Sequence, residues 1–114
     1  MTTNPDAILS ALADPARRQV VELLHAGPRP AGALARAVGA SPSMMSRHLR
    51  ILAECRLVED ERGSADARQR VFRLRPEPLG TVRSWLEEMQ AAWNDRLVAF
   101  KRHADATSAK RRAP

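Results

Sequence analysis

The sequence predicts a mainly helical domain with one small β-hairpin, and three observations carry that prediction. Apolar residues recur at three- and four-residue spacing in successive stretches along the chain. Two short segments near the middle alternate instead, on either side of a turn-rich loop. Helix-start signals, Asp14-Pro15 and Ser41-Pro42, fall just ahead of two of the periodic stretches.

At 114 residues the chain is one domain by length. So small a core leaves much surface exposed, and oligomerisation would add stability. A formal net charge of +6 fits a polyanionic partner, although ribosomal and membrane-surface proteins share that balance. No apolar run approaches the roughly 18 residues of a membrane span, so no membrane partner is expected. The opening Met1-Thr2-Thr3-Asn4-Pro5-Asp6 has no charged segment ahead of an apolar core, so no secretion signal is expected. Cys55 is the single cysteine, which fits a reducing cytoplasm.

Taken in order, residues 6–12 form a short amphipathic helix with Ile8, Leu9 and Leu12 on one side. Asp14 caps a second helix, which starts at Pro15 and ends near His25. Arg17 and Arg18 lie near its start, where the helix dipole disfavours cations. They are either solvated or used locally, on a phosphate or on a carboxylate of another element. The breaker cluster Ala26-Gly27-Pro28-Arg29-Pro30 separates this helix from a short third one over residues 31–38, closed by Gly39.

Ser41 and Pro42 then start the helix that ends at Glu54. At about 100° per residue, Met45, Leu49 and Leu52 fall on one side with His48 at their edge. Ser43, Ser46, Arg47, Arg50 and Glu54 fall on the other. Two hydroxyls and two guanidiniums are the donors that contact phosphates and base edges. Met44 and Ile51 flank this face. Met44 suits a thymine methyl or, better, packing on the preceding helix. His48 is either a satisfied structural residue or a phosphate or base contact. Cys55, at the helix end, reads as a buried or inert thiol rather than a redox switch, because a helix C-terminus disfavours the thiolate and no resolving cysteine exists.

Residues 58–62 and 69–74 alternate around the turn-rich segment 63–68, a β-hairpin. After a short helix, a glycine turn and a polar-faced helix, such a hairpin is a wing, and the whole is a winged helix-turn-helix. Arg68 at the tip and Arg70 would flank the groove; a plain surface hairpin is the alternative. Arg75-Pro76-Glu77-Pro78 is expected to be extended. One long helix then covers residues 79–103, with Val82, Leu86, Met89, Trp93, Leu97 and Phe100 near a coiled-coil seam that Trp85 and Ala92 widen. Its apolar face is expected to need a second chain, giving a homodimer through the first and last helices. Residues 1–103 thus make one DNA-binding and dimerisation domain, and residues 104–114 a disordered basic tail.

This order of elements resembles the ArsR/SmtB family of bacterial winged-helix repressors. The resemblance rests on Leu12-Ala13-Asp14-Pro15-Ala16-Arg17-Arg18, on Ser46-Arg47-His48-Leu49-Arg50-Ile51-Leu52 and on Leu57-Val58, and spans about residues 6–103. Segments Pro76-Glu77-Pro78-Leu79, Trp85-Leu86 and Trp93-Asn94-Asp95-Arg96-Leu97 are similar to the branch without metal ligands, whose members often repress their own genes. The resemblance implies a dimer with two recognition helices in successive major grooves of a near-palindromic double-stranded operator. The chain departs from the family at Arg56, where glycine is usual, so the exit from the recognition helix is expected to be reshaped. Pro30 and Gly32 stand where arsenic sensors carry Cys-x-Cys. The last helix offers Asp95, His103 and Asp105 but no second histidine at ligand spacing, so no metal or other cofactor is expected.

Catalysis finds no support: the chain has no Ser–His–Asp ordering, phosphate loop or zinc spacing. The reading is a cytoplasmic, autoregulatory repressor whose effector the residues do not name. Two alternatives stand beside it. One is a sensor with a small apolar effector, or less plausibly a metal, near Trp85, Met89 and Trp93. The other is a winged-helix protein-interaction module that binds no DNA.

Overall fold

The computed structural model describes residues 5–61 and 70–112, with side chains through residue 108. Its order is α1 (Pro5–Leu12), α2 (Pro15–His25), β1 (Arg29–Pro30), α3 (Ala31–Val38), α4 (Pro42–Glu54), β2 (Val58–Glu61), β3 (Val71–Leu74) and α5 (Glu77–Arg112). Arg68 and the rest of the turn expected over residues 63–68 lie outside the described residues.

Local chemistry sets the helix ends. Asp14 Oδ1 accepts from the Ala16 N–H at 2.8 Å, and Pro15 occupies the first helical position, where no donor is lost. Ser41 does the same for α4, its Oγ accepting from the Met44 N–H at 3.2 Å, with Pro42 next. Gly39 takes φ +74° after α3 and turns the chain directly into α4, while the Ala40 N–H returns to the Ala35 carbonyl at 3.0 Å.

Residues 5–82 form one compact unit. Its core collects Ile8 and Ala11 from α1, Val20 and Leu24 from α2, Leu34 from α3, Met45, Leu49 and Leu52 from α4, and Leu57, Val58 and Phe72 from the sheet side. The sheet has three strands in the order β1-β3-β2, all antiparallel. The hairpin is in register Val58↔Leu74 through Glu61↔Val71. The third strand was not expected. Arg29 and Pro30 sit in the breaker cluster, yet they pair with Phe72 and Val71, and the Ala31 N–H closes the ladder on the Arg70 carbonyl at 3.0 Å. Proline is tolerated there because β1 is an edge strand, where a missing donor goes unnoticed.

Three sequence expectations need correction. The segment 75–78 is not wholly extended: α5 begins at Glu77, because proline fits the first turn of a helix. That helix also runs to Arg112 rather than about residue 103, taking in most of the expected tail. The exit from α4 is not reshaped. Arg56 itself adopts φ +62°, its N–H bonds to the Ala53 carbonyl and the Leu57 N–H to the Leu52 carbonyl, both at 3.0 Å. These are the two reverse bonds that close a helix through a left-handed residue. The turn is kept because Leu57 and Val58 must return to the core, where they are 0% and 2% exposed.

From Arg83 onward the second unit is the continuing helix. Trp85, Leu86, Met89, Trp93, Leu97, Val98 and Phe100 are exposed along it, Phe100 by 72%.

The Arg56 turn generates a stability prediction. A left-handed non-glycine residue costs about 1–2 kcal/mol, partly offset by the roughly 0.5–1 kcal/mol that glycine loses in unfolded-state entropy. Arg56→Gly is therefore expected to stabilise the protein by about 0.5–1 kcal/mol and raise Tm by a few degrees, read by thermal and urea unfolding. A lower midpoint for the glycine variant would contradict this account.

Candidate nucleic-acid interface

Helix α4 separates its two faces cleanly. Met45, His48, Leu49 and Leu52 are buried. Ser43, Ser46, Arg47 and Arg50 are exposed, so the hydroxyls and guanidiniums expected to face outward do so. Met44 joins them at 47% exposure. Ser41 is occupied at the helix start, capping Met44 and lying 3.2 Å from the Ser43 hydroxyl.

His48 is different. It is 5% exposed, the one buried polar side chain of the described residues. The Arg17 guanidinium donates to its Nδ1 at 3.3 Å. Arginine can only donate, so this contact assigns the ring's proton to Nε2. The placement takes His48 off the outward face and makes it a packing residue behind that face. Arg17 is likewise internal. Its Nε donates to the Ala11 carbonyl in the last turn of α1 at 2.7 Å, and its Nη1 lies 3.6 Å from Asp14. One guanidinium thus ties the end of α1 to the cap of α2 and the back of α4. This resolves the local use anticipated for an arginine at a helix start: its partners are protein groups. Arg18 stays exposed.

The wing strands carry paired charges. Arg70 donates to Asp60 at 2.7 Å and stacks 5.8 Å above the Phe72 ring. Arg73 pairs with Glu59 across the strands, and Arg75 approaches the same carboxylate at 3.3 Å. Sequence reasoning missed these pairs. The signal was present as acids at 59–61 facing bases at 70–75, but the pairing needs the hairpin register to be seen.

Burial sorts the residues expected at a dimer contact. Ile8 and Val82 lie in the protomer's own core, 0% and 9% exposed, so neither is free to meet another chain. An amphipathic helix packed inward hides its most apolar positions first. Leu12 is half-buried against that core and Leu9 is exposed. Trp85, Leu86, Met89, Trp93, Leu97 and Phe100 are exposed, and Val98, not singled out from the sequence, joins them.

Cys55 is buried, its thiol donating to the Leu52 carbonyl at 3.4 Å, and burial raises its pKa above the usual thiol value, which suits an inert group. Among the described residues, no three His, Cys, Asp or Glu side chains cluster to hold a metal ion, and no helix is long and apolar enough to cross a membrane.

A short helix, a tight glycine turn, a polar-faced second helix and a following antiparallel sheet define a winged helix-turn-helix DNA-binding domain. Known proteins agree. Residues 14–60 match the family described as bacterial regulatory protein, arsR family. The chain is 35% identical over 103 residues to the HTH-type transcriptional regulator Rv2034 of Mycobacterium tuberculosis, covering 90% of this chain and 91% of that protein. An ArsR-like transcriptional regulator from Rhodococcus sp. RHA1 is similar in structure, with TM-score 0.71 and 28% identity over 86% of this chain and 90% of that one. The homodimeric winged helix-turn-helix domain of Mb0332 from Mycobacterium bovis, a possible ArsR-family regulator, has TM-score 0.56 and 27% identity, with 81% and 80% covered. The chain belongs to the arsR family of bacterial regulators and is a DNA-binding transcriptional regulator, not an enzyme.

The Asp14 cap has a pH signature. The Ala16 N–H, and secondarily the Arg17 charge, hold its carboxyl below the usual carboxylate range despite some desolvation. A depressed folded-state value means that the cap stabilises fully above its unfolded value, about 3.9, and fades as pH falls through the folded one. Asp14→Ala is expected to lower Tm at pH 7, with the gap to wild type closing in thermal scans taken towards pH 3. A gap that stays constant would count against the ionised cap.

Proposed function

We propose that the protein is a cytoplasmic homodimeric repressor that binds a near-palindromic double-stranded operator, including one upstream of its own gene. The carrying observation is α4: Ser43, Ser46, Arg47 and Arg50 stand exposed on a helix whose opposite face is locked into the core. Arg47 and the exposed Arg18 contact phosphates, while Ser43, Ser46, Arg50 and the Met44 methyl meet base edges. Arg70 flanks the groove; Arg68, given the same role from the sequence, lies outside the described residues.

The dimer reading is supported by the homodimeric Mb0332 domain and by the exposed apolar stripe from Trp85 to Phe100. Soluble monomers rarely expose so much contiguous apolar surface. Two recognition helices one helical turn apart then match a two-fold operator.

Mobility shifts on the upstream region test this reading. Each phosphate contact adds about −0.9 to the slope of log K against log salt, and Arg47→Ala is expected to make that slope shallower by about one. Arg50→Ala is expected to cost about 1–3 kcal/mol and relax sequence preference. A flat salt dependence with both variants binding normally would sink the proposal in favour of a module that binds no DNA.

The dimer has its own test. Trp93→Glu with Leu97→Glu is expected to give monomers in analytical ultracentrifugation and to weaken operator binding by about tenfold or more, because the second half-site is no longer tethered. Dimers that survive both charges would place the contact elsewhere.

A further inference from the structure

Between α4 and the sheet lies a cleft of about 560 Å³, within the size range of small-molecule sites. Its floor is apolar: Leu49 and Ala53 come from α4, Phe72 from β3, and Ala31 from the start of α3. On the sheet side Asp60 and Arg70 neutralise each other through their 2.7 Å pair. On the helix side stand Ser46 and Arg50. Arg50 makes no hydrogen bond or ion pair among the described residues. The cleft therefore carries one uncompensated positive charge above an apolar floor.

That pattern selects a particular chemistry. A guanidinium takes a carboxylate through two parallel hydrogen bonds, and the Ser46 hydroxyl can donate beside it. A bare inorganic anion would leave the apolar floor unused, and a neutral apolar molecule would leave Arg50 unanswered. We propose that this cleft binds an organic monocarboxylate with an apolar body about the size of benzoate or octanoate, its carboxylate on Arg50 and its body against Leu49 and Phe72. Because Ser46 and Arg50 also belong to the outward face of α4, an occupied cleft competes directly with DNA. The competition rests on the DNA-binding role given to that face; the ligand site does not.

Calorimetric titration of the full chain with benzoate, octanoate, benzamide and inorganic phosphate tests the site. The carboxylates are expected to saturate at one per chain, with benzamide and phosphate at least about tenfold weaker. Arg50→Met is expected to lose at least about tenfold. So is Ala53→Leu, which narrows the cleft, touches no charge and retains a good helix former. Mobility shifts with each carboxylate should raise the protein concentration needed for half-binding in wild type, and not in Ala53→Leu. The site is overturned if neither carboxylate saturates by about 10 mM, if benzamide or phosphate binds as well, or if both variants bind normally. Carboxylate binding by a protein that shifts no DNA keeps the site and overturns the competition. DNA binding without carboxylate binding does the reverse to the site while leaving the operator reading intact.

Discussion

What α4 shows to solvent depends on what it buries. Met45, Leu49 and Leu52 are 1%, 3% and 0% exposed, and burying each contributes about 1.5–3 kcal/mol. Rolling the helix by one residue would expose part of that set and drive Arg47 or Arg50 towards the core, where an unpaired charge costs more than the apolar gain. The helix therefore has one stable rotation. Ser41 holds its first turn and the left-handed Arg56 closes its last, so that rotation is held at both ends.

Behind that face a polar connection between helices supplements the apolar core. Arg17 reaches the carbonyl end of α1, the Asp14 cap and the ring of His48. Each partner supplies an acceptor, which is what a half-buried guanidinium requires. A shift of α1 or α2 would break at least one of these bonds, so the outward donors of α4 are positioned through a group behind the face that carries them. Of the residues Asp14, Pro15, Arg17, Arg47 and His48, Arg47 thus faces outward while Asp14, Arg17 and His48 join the helices behind it.

The positive charge of the chain is unevenly available. Arg70, Arg73 and Arg75 of the sheet region are answered by Asp60 and Glu59. Exposed pairs of this kind add little stability, but they fix where these arginines stand on the sheet. Arg47 and Arg50, exposed on α4, have no ion-pair partner among the described residues.

Several features were legible in the chain itself. Asp14-Pro15, Ser41-Pro42 and Gly39 mark helix ends because capping is a property of neighbouring residues, and the split faces of α4 follow from helical periodicity alone. The hairpin at 58–61 and 71–74 was readable from alternation. Other features belonged to the tertiary structure. Strand β1 exists only because β3 offers an edge to Arg29 and Pro30, and Arg56 stays left-handed only because Leu57 and Val58 are drawn into the core. His48 and Ile8 turned inward, and Arg70 met Asp60, through contacts between residues far apart in the chain. Periodicity and capping are local and travel with the sequence. Burial, charge pairing and the cleft beside Arg50 arise only when separate segments share the same space.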